Sequence, residues 1–175
     1  MTTERSIRGA YAWRPLLSFG MVLVLGVMAY RTFVVGSAAM PPVFEKSPTL
    51  TEALAAQAAG GSGARPILAF ATADWCGPCQ LMKRSTFVEP GVVAFIRDHT
   101  TPVYVNIDKD PAAATMLSAT SIPATYVIVG DRVVASFVGL LDAQTYLQNI
   151  TAAVDLASHP EELEKLGDSV RRLRK

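Results

Sequence analysis

The residues of this chain best suited to chemistry are Cys76 and Cys79, the only cysteines among its 175 residues. Gly77 and Pro78 separate them, and the pair follows an apolar run and opens a helical pattern. This order places one thiol at a helix N-terminus and its partner one turn deeper. Two thiols at this spacing predict reversible disulfide exchange with another protein.

Two other common uses of cysteine do not fit this pair. Two cysteines cannot build a framework of structural disulfides. They also fall short of a zinc ligand set, because the histidines, His99 and His159, are distant in sequence. A buried and inert thiol pair is the remaining alternative, which the tight Gly-Pro turn after Trp75 disfavours. We therefore expect no metal and no prosthetic cofactor, since the disulfide itself carries the electrons.

Hydrophobic patterns and turn residues predict the elements that position the pair, in the order helix, strand, helix, strand, helix, hairpin and helix. The first two strands, joined through a helix, should be parallel, whereas Gly130-Asp131 closes an antiparallel hairpin. The expected fold class is α/β, with a mixed central sheet flanked by helices. The predicted elements cover 49–59, 67–71, the cysteine pair to 88, 92–97, 102–107, 112–117, 124–129, 132–138 and 143–156.

The N-terminal part of the chain has the pattern of a membrane anchor. Residues 15–36 form an apolar run that is interrupted by Arg31. The uncharged residues 15–30 span about 24 Å as a helix, and residues 32–35 extend the helix to about 30 Å of hydrocarbon if the Arg31 side chain reaches the headgroups. The positive-inside rule then keeps residues 1–14 in the cytoplasm and exports the rest of the chain. The basic residues that precede the run are Arg5, Arg8 and Arg14.

This pattern predicts a single-pass protein of the cell membrane whose folded domain lies outside the cytoplasm, in the periplasm. A cleaved signal peptide, with Ser37-Ala38-Ala39 as the small-residue site, and a buried core helix are the alternatives. The anchor and the signal peptide agree that the cysteines work outside the cytoplasm.

Three further segments complete the predicted organisation. Residues 37–48 form a linker, 49–157 the folded domain and 158–175 a C-terminal helical tail. The tail is expected to pack on the domain, and a membrane-surface or partner-binding helix is the alternative. The net charge of +1 gives no reason to expect a nucleic-acid partner.

Two motifs at the appropriate separation resemble the thioredoxin superfamily. Residues 75–79 match the family's active-site sequence, and Ser121-Ile122-Pro123 matches its cis-proline segment. Gly139 falls where the family has a glycine after its last strand. The residues around the cysteines look more like the C-terminal domain of DsbD-type thiol transporters. The resemblance covers about 49–156 and implies a thioredoxin fold, here preceded by the predicted transmembrane helix.

The resemblance implies a role for each residue of the site. Cys76 is expected to attack as a thiolate stabilised by the helix N-terminus, and Cys79 to resolve the mixed disulfide. The expected partners are client proteins that carry disulfides and a thiol electron donor. The residues expected to complete the motif and the client groove are Trp75, Gly77, Pro78, Ile122 and Pro123.

The expected activity is that of a thiol–disulfide oxidoreductase, which reduces or exchanges protein disulfides outside the cytoplasm through Cys76 and Cys79. The Gly-Pro dipeptide between the cysteines resembles the reducing branch of the family. A disulfide oxidase or isomerase with the same residues is one alternative. A non-catalytic binding module with the thioredoxin fold, whose cysteines matter little, is the other.

Two departures from thioredoxins predict slow resolution of the mixed disulfide. Thioredoxins have a buried Asp and a Lys on the adjacent strand, where this chain has Phe70 and Tyr104. The buried acid assists deprotonation of the resolving cysteine, so mixed disulfides should be longer-lived here. Trapping kinetics as fast as those of an ordinary thioredoxin would contradict this prediction. Asp74 is the candidate substitute base, and an unchanged rate in Asp74→Asn would exclude it.

Overall fold

The computed structural model of the chain describes residues 20–28, 36, 38–60, 64–159, 161 and 165. The chain divides into two units, Met1–Gly36 and Ser37–Lys175. In the first unit, residues 20–28 form a helix and are exposed. The predicted cytoplasmic segment 1–14 lies outside the described residues, as does most of the predicted tail.

The predicted membrane span over 15–36 is described only at residues 20–28 and at Gly36. Within the described parts of the chain, no helix combines the length and the apolar character needed to cross a membrane. The span therefore stays a prediction from the sequence.

In the second unit, the observed elements follow the predicted order. The strands are β1 (Ile67–Thr72), β2 (Thr101–Asn106), β3 (Ala124–Val129) and β4 (Arg132–Val138). The α-helices are α1 (Leu50–Gly60), α2 (Gly77–Arg84), α3 (Pro90–His99), α4 (Pro111–Met116) and α5 (Ala143–Ser158). Short 3-10 helices cover Pro42–Phe44 and Thr86–Val88, so the helix predicted to reach residue 88 ends earlier and continues as a 3-10 turn.

The sheet is mixed, as predicted, and its strand order is β2-β1-β3-β4. β1 is parallel to β2 and antiparallel to β3, and β3 and β4 form the antiparallel hairpin. Leu68 and Phe70 pack in a cluster with residues of α2, α3 and α5, whereas Ala69 and Ala71 pack with residues of α1 and α4. Because β1 is covered on both faces, its sequence is continuously apolar.

Side-chain caps fix the starts of α1, α4 and α5. The Thr49 N–H donates to Glu52 Oε2 at 2.9 Å, and the Glu52 N–H donates to Thr49 Oγ1 at 3.2 Å. This is a reciprocal capping box, and its pattern is visible in the sequence Thr49-Leu50-Thr51-Glu52. Asp110 and Asp142 each accept a backbone N–H from the first turn of α4 and α5, at 2.9 Å and 3.0 Å. Each cap satisfies a donor that the helix cannot pair internally.

The strand register brings four loops to one edge of the sheet. The last residue of β1, Thr72, pairs with the last residue of β2, Asn106. Ala124, the first residue of β3, pairs with Ala71 and with Val138, the last residue of β4. The loops at this edge therefore contain the cysteine pair, the turn 107–110, Pro123 and Gly139.

The segment predicted as a linker, 37–48, contributes one side chain, that of Phe44, to the core. Phe44 is fully buried. Its ring centroid lies 5.9 Å from that of Phe70, 5.2 Å from that of Phe87 and 5.9 Å from that of Tyr104. A single aromatic residue in a short, Pro-bearing stretch has no periodicity, so the sequence alone does not reveal this packing.

Replacing Phe44 with alanine should leave a cavity in this aromatic cluster. We expect Phe44→Ala to lower the free energy of unfolding by about 3–5 kcal/mol, measured by denaturant titration of the full chain. Met40→Ala is the matched control, because Met40 lies in the same segment with 41% of its surface exposed. Equal losses in the two variants would show that Phe44 is not a core residue.

Candidate active site

Cys76 and Cys79 form a disulfide with an S–S distance of 2.00 Å at the start of α2. Cys76 is the N-cap of the helix, and its Sγ accepts the backbone N–H of Cys79 at 3.2 Å. Cys76 is 4% exposed, whereas Cys79 is fully buried. Cys76 is therefore the more accessible residue of the pair, and its sulfur lies where the helix N-terminus stabilises negative charge.

Gly77 and Pro78 form the first turn of α2 between the two sulfurs. Pro78 lacks a backbone N–H, and a donor in this turn would have no acceptor within the helix. Its ring also fixes φ near the helical value, so the turn is stiff. Pro78 is exposed, which makes the outer surface of the motif apolar.

Trp75 stands beside the cysteine pair with 68% of its surface exposed. Its Nε1 donates a hydrogen bond to Asp108 Oδ2 at 2.8 Å. Asp108 lies in the turn after β2, which the sheet register brings to this edge. The bond holds an exposed aromatic ring next to the reactive sulfur, and such rings with one polar end are typical of protein contact surfaces.

Asp74, the candidate base, is engaged by two neighbours. Lys109 Nζ lies 2.9 Å from Asp74 Oδ2, and Asn106 Nδ2 donates to Asp74 Oδ1 at 3.2 Å. The hydrogen bond from Lys109 is the main cause that lowers the pKa of Asp74. A carboxylate with a lowered pKa is a weaker base. These contacts indicate that Asp74 holds the loop before the cysteines. They do not favour the role in proton abstraction that the sequence suggested for it.

Gln80 holds the backbone around the site, a role that the sequence does not predict. It is 1% exposed. Its Nε2 donates to the carbonyl oxygens of Ala73 and Asp74 at 2.9 Å and 3.1 Å, and its Oε1 accepts the Ala38 N–H at 2.6 Å. One side chain therefore ties α2 both to the loop before the cysteines and to the N-terminal part of the unit. Spacing along the chain cannot show these partners.

The Ile122–Pro123 peptide bond is cis, as predicted. The carbonyl oxygen of Pro123 accepts the N–H of Gly139 at 2.8 Å, which joins the loop before β3 to the loop after β4. Gly139 has a φ of +105°, a conformation that favours glycine. Ile122 is half-buried and Ser121 is exposed, so the backbone before the proline lies at the surface of this edge.

An aromatic cluster underlies the site. Phe70, at the position of the buried acid of thioredoxins, is fully buried with its ring 4.6 Å from that of Phe87. Tyr104 is the register partner of Phe70 on β2, and burial raises the pKa of Tyr104. Lys83, which the sequence did not single out, has its Nζ 5.2 Å from the centre of the Tyr104 ring. The rings of Phe70, Phe87 and Tyr104 therefore form an apolar floor beneath the site, and the Lys83 cation lies beside it.

Comparison with known families accounts for this arrangement. The thioredoxin-like domain family matches residues 53–153, which run from α1 to α5 and include every loop of the site. The chain belongs to this family. A thioredoxin of Alicyclobacillus acidocaldarius is 33% identical over 94 residues, which are 52% of this chain and 82% of that protein. A thioredoxin of Griffithsia pacifica is 31% identical over 86 residues, 49% of this chain and 76% of that protein.

Solved structures show that the thioredoxin-like fold extends over the same region. A thioredoxin from Thermus thermophilus superimposes with a TM-score of 0.55 and 20% identity, and the match covers 65% of this chain and 89% of that one. The DsbH oxidoreductase superimposes with a TM-score of 0.54 and 20% identity, covering 69% of this chain and 88% of that one. At this level of identity the likeness concerns the fold.

A thioredoxin-like domain with this cysteine pair is a thiol–disulfide oxidoreductase. Its reacting groups are the two sulfurs, which alternate between a disulfide and a pair of thiols. Among the described residues, no group of three or more His, Cys, Asp or Glu side chains could hold a metal ion.

The hydrogen bonds of Gln80 should contribute measurably to the stability of the oxidised protein. Gln80→Met keeps the side-chain length but removes the three hydrogen bonds that Gln80 makes to backbone groups of Ala38, Ala73 and Asp74, so the free energy of unfolding should fall by about 1–3 kcal/mol. Denaturant titration gives this value. Gln148→Met, at an exposed position of α5, is the control and should change stability little. No difference between the two variants would contradict the role of Gln80.

Proposed function

We propose that this chain is a membrane-tethered thiol–disulfide oxidoreductase that reduces or exchanges disulfides of client proteins outside the cytoplasm. One observation carries the reaction: Cys76 caps the N-terminus of α2, at the sheet edge that also holds Trp75 and the Ile122–Pro123 loop. A thiolate at this position is stabilised by main-chain dipoles and lies next to a surface that a polypeptide can contact.

The reaction starts from the reduced pair. The Cys76 thiolate attacks one sulfur of a client disulfide, the client S–S bond breaks, and one client sulfur leaves as a thiolate that takes a proton from water. Cys79 loses its proton to water and attacks Cys76 Sγ, which breaks the mixed disulfide and releases the second client sulfur. Two electrons have then passed to the client, and the pair is left as the observed disulfide. A thiol donor returns the electrons.

The turn between the cysteines supports the reducing direction. Pro78 contributes no N–H to the first turn of α2, so the thiolate has fewer donors around it than in a turn without proline. Weaker stabilisation of the thiolate favours the disulfide and makes the dithiol the better reductant. About 30 mV corresponds to ~1.4 kcal/mol for this couple. The loss of one hydrogen bond to the thiolate is therefore enough to change the reduction potential of the cysteine pair measurably.

The proposed client groove lies between Trp75 and the cis-proline loop. Trp75 offers an exposed apolar face fixed by Asp108. On the other side, the backbone of Ser121 and Ile122 precedes the cis bond at the surface, where an extended client segment can pair with it as a strand does. Main-chain pairing of this kind accepts many client sequences.

The proposed location rests on the sequence before residue 37. Basic residues followed by the apolar run 15–36 support an anchor with the domain on the outer side of the cell membrane. Thiol pairs outside the cytoplasm are oxidised unless a donor keeps them reduced. The tethered domain therefore needs a donor at or across the membrane.

The redox potential separates the proposed reductase from an oxidase or isomerase. A value near or below about −270 mV supports the reductase, whereas one nearer −120 mV supports the oxidase. A binding module without catalysis is the second candidate, and the apolar residue Phe70 at the acid position favours it. Variants of the two cysteines distinguish this candidate from both enzymes.

Client trapping tests the proposal in intact cells. Cys79→Ser removes the resolving sulfur, so we expect mixed disulfides between Cys76 and client proteins to accumulate and to dissociate on treatment with dithiothreitol. Gel mobility of the full-length chain under non-reducing conditions measures them. A maleimide that cannot cross membranes should label Cys76 of the reduced variant in the same cells, because the domain is expected outside the cytoplasm.

Cys76→Ser is the matched control, and it should trap far fewer clients because the remaining sulfur is fully buried. Equal trapping by both variants would contradict the assignment of the attacking sulfur. If Cys79→Ser captures nothing and neither variant alters the phenotype, the binding module is favoured. Labelling of Cys76 only after the membrane is permeabilised would overturn the proposed location.

A further inference from the structure

Lys83 is a buried cation that the exchange reaction does not otherwise use. It lies on α2, four residues after Cys79, and is only 3% exposed. Its Nζ lies 5.2 Å from the centre of the Tyr104 ring, within the distance at which a ring face attracts an ammonium group. Lysine is almost never buried to this extent unless other groups compensate its charge.

The charged groups that face Lys83 compensate it only in part. Asp74, in the loop before the cysteines, is a negative neighbour, and Lys109, after β2, is a positive one. Burial is the main influence on Lys83 and lowers its pKa, against the opposing effect of Asp74. Asp74 is also paired with Lys109 at 2.9 Å. Burial of the Lys83 side chain and the positive charge of Lys109 therefore outweigh the attraction of Asp74 in setting the pKa of Lys83.

A negative charge at Cys79 would complete this compensation. Residues four apart on a helix lie on the same face, with Cβ atoms about 5–6 Å apart. Cys79 is fully buried and belongs to the cluster that contains Phe70 and Met82, so its thiolate is poorly solvated there. In such surroundings a nearby opposite charge strongly favours the ionised form of an acid.

We propose that Lys83 is a positioning residue for the resolving step, in which its ammonium group stabilises the Cys79 thiolate. This inference rests on the proposed function, because it concerns the same cysteine pair. The proton of Cys79 passes to water, the thiolate attacks Cys76 Sγ, the bond between Cys76 and the client sulfur breaks, and the client leaves as a thiolate. Lys83 keeps its proton throughout.

The proposal also explains how an apolar floor is compatible with thiol exchange. Phe70 can neither accept a proton from Cys79 nor leave a negative charge beside it. A buried carboxylate next to Cys79 would favour the neutral thiol, whereas a buried ammonium group favours the thiolate. In this chain, attraction between the Lys83 ammonium group on α2 and the Cys79 thiolate therefore takes the place of proton abstraction by an acid on β1.

Stopped-flow reaction of the reduced protein with one equivalent of dithiobis(nitrobenzoate) tests the proposal. The coloured thiolate is released first when Cys76 attacks the probe and again when Cys79 resolves the adduct. In Lys83→Met we expect the second release at neutral pH to slow about tenfold and its pH midpoint to rise by about one unit, because a nearby opposite charge is lost. The first release should change less. Lys83→Arg retains the charge and should keep the original midpoint.

Arg84→Met is the matched control, since it removes an exposed cation from the next position of the same helix. Its midpoint should not move, because solvent and salt screen that charge. An unmoved midpoint in Lys83→Met, or equal shifts in Lys83→Met and Lys83→Arg, would overturn the proposal, the latter by showing that shape matters and charge does not.

Two further measurements keep the result unambiguous. Near-ultraviolet circular dichroism shows whether Lys83→Met folds, and Lys83→Gln takes its place in the same assay if it does not. Failure of the wild-type chain to release the probe or to reduce client disulfides counts against the proposed function itself. A wild-type chain that is active, with a midpoint independent of residue 83, counts against the role of Lys83 alone.

Discussion

The position of Cys76 at the N-cap of α2 is the constraint on which the rest of the site depends. Its sulfur accepts the Cys79 N–H, so the reactive atom lies within the field of the helix N-terminus. The surrounding contacts hold the backbone that makes this possible. Gln80 binds the loop from α2. Asp74 binds the last residue of β2 and, through Lys109, the turn that follows, and Trp75 binds the same turn through Asp108. A substitution that removes these contacts would displace the Cys76 sulfur from the helix N-terminus, although both cysteines are still present.

The floor of the site combines buried aromatic rings with a cation, Lys83. Phe44 and Phe70 are fully buried in the region where thioredoxins place an acid, and the Tyr104 ring packs against both. Such packing would make ionisation of a buried thiol difficult, since the charged form is poorly solvated there. Lys83 enters the same region from the helix. The low dielectric that penalises an isolated charge also strengthens the attraction between this ammonium group and a thiolate.

The N-terminal part of the second unit belongs to the redox domain. Phe44 fills the aromatic cluster, and the Ala38 N–H binds Gln80, the residue after Cys79. The segment 37–48, which has the composition of a linker, is thus hydrogen-bonded through Ala38 to the active-site helix α2. The packing of Phe44 and the hydrogen bond of Ala38 therefore contribute to the domain's stability, although both residues lie far from the cysteines in sequence.

Local signals in the sequence were sufficient for the element order, the capping box at Thr49, the hairpin over β3 and β4, and the placement of Cys76 and Cys79 at a helix start. Each depends on residues within a few positions of one another. The sheet order, the packing of Phe44, the partners of Gln80 and the burial of Lys83 depend on residues that are distant in sequence. Patterns along a chain report which side of an element is apolar. Only the packed structure decides what that side contacts. Packing brings together elements that are distant in sequence, and the distance between two elements along the chain does not indicate whether they touch.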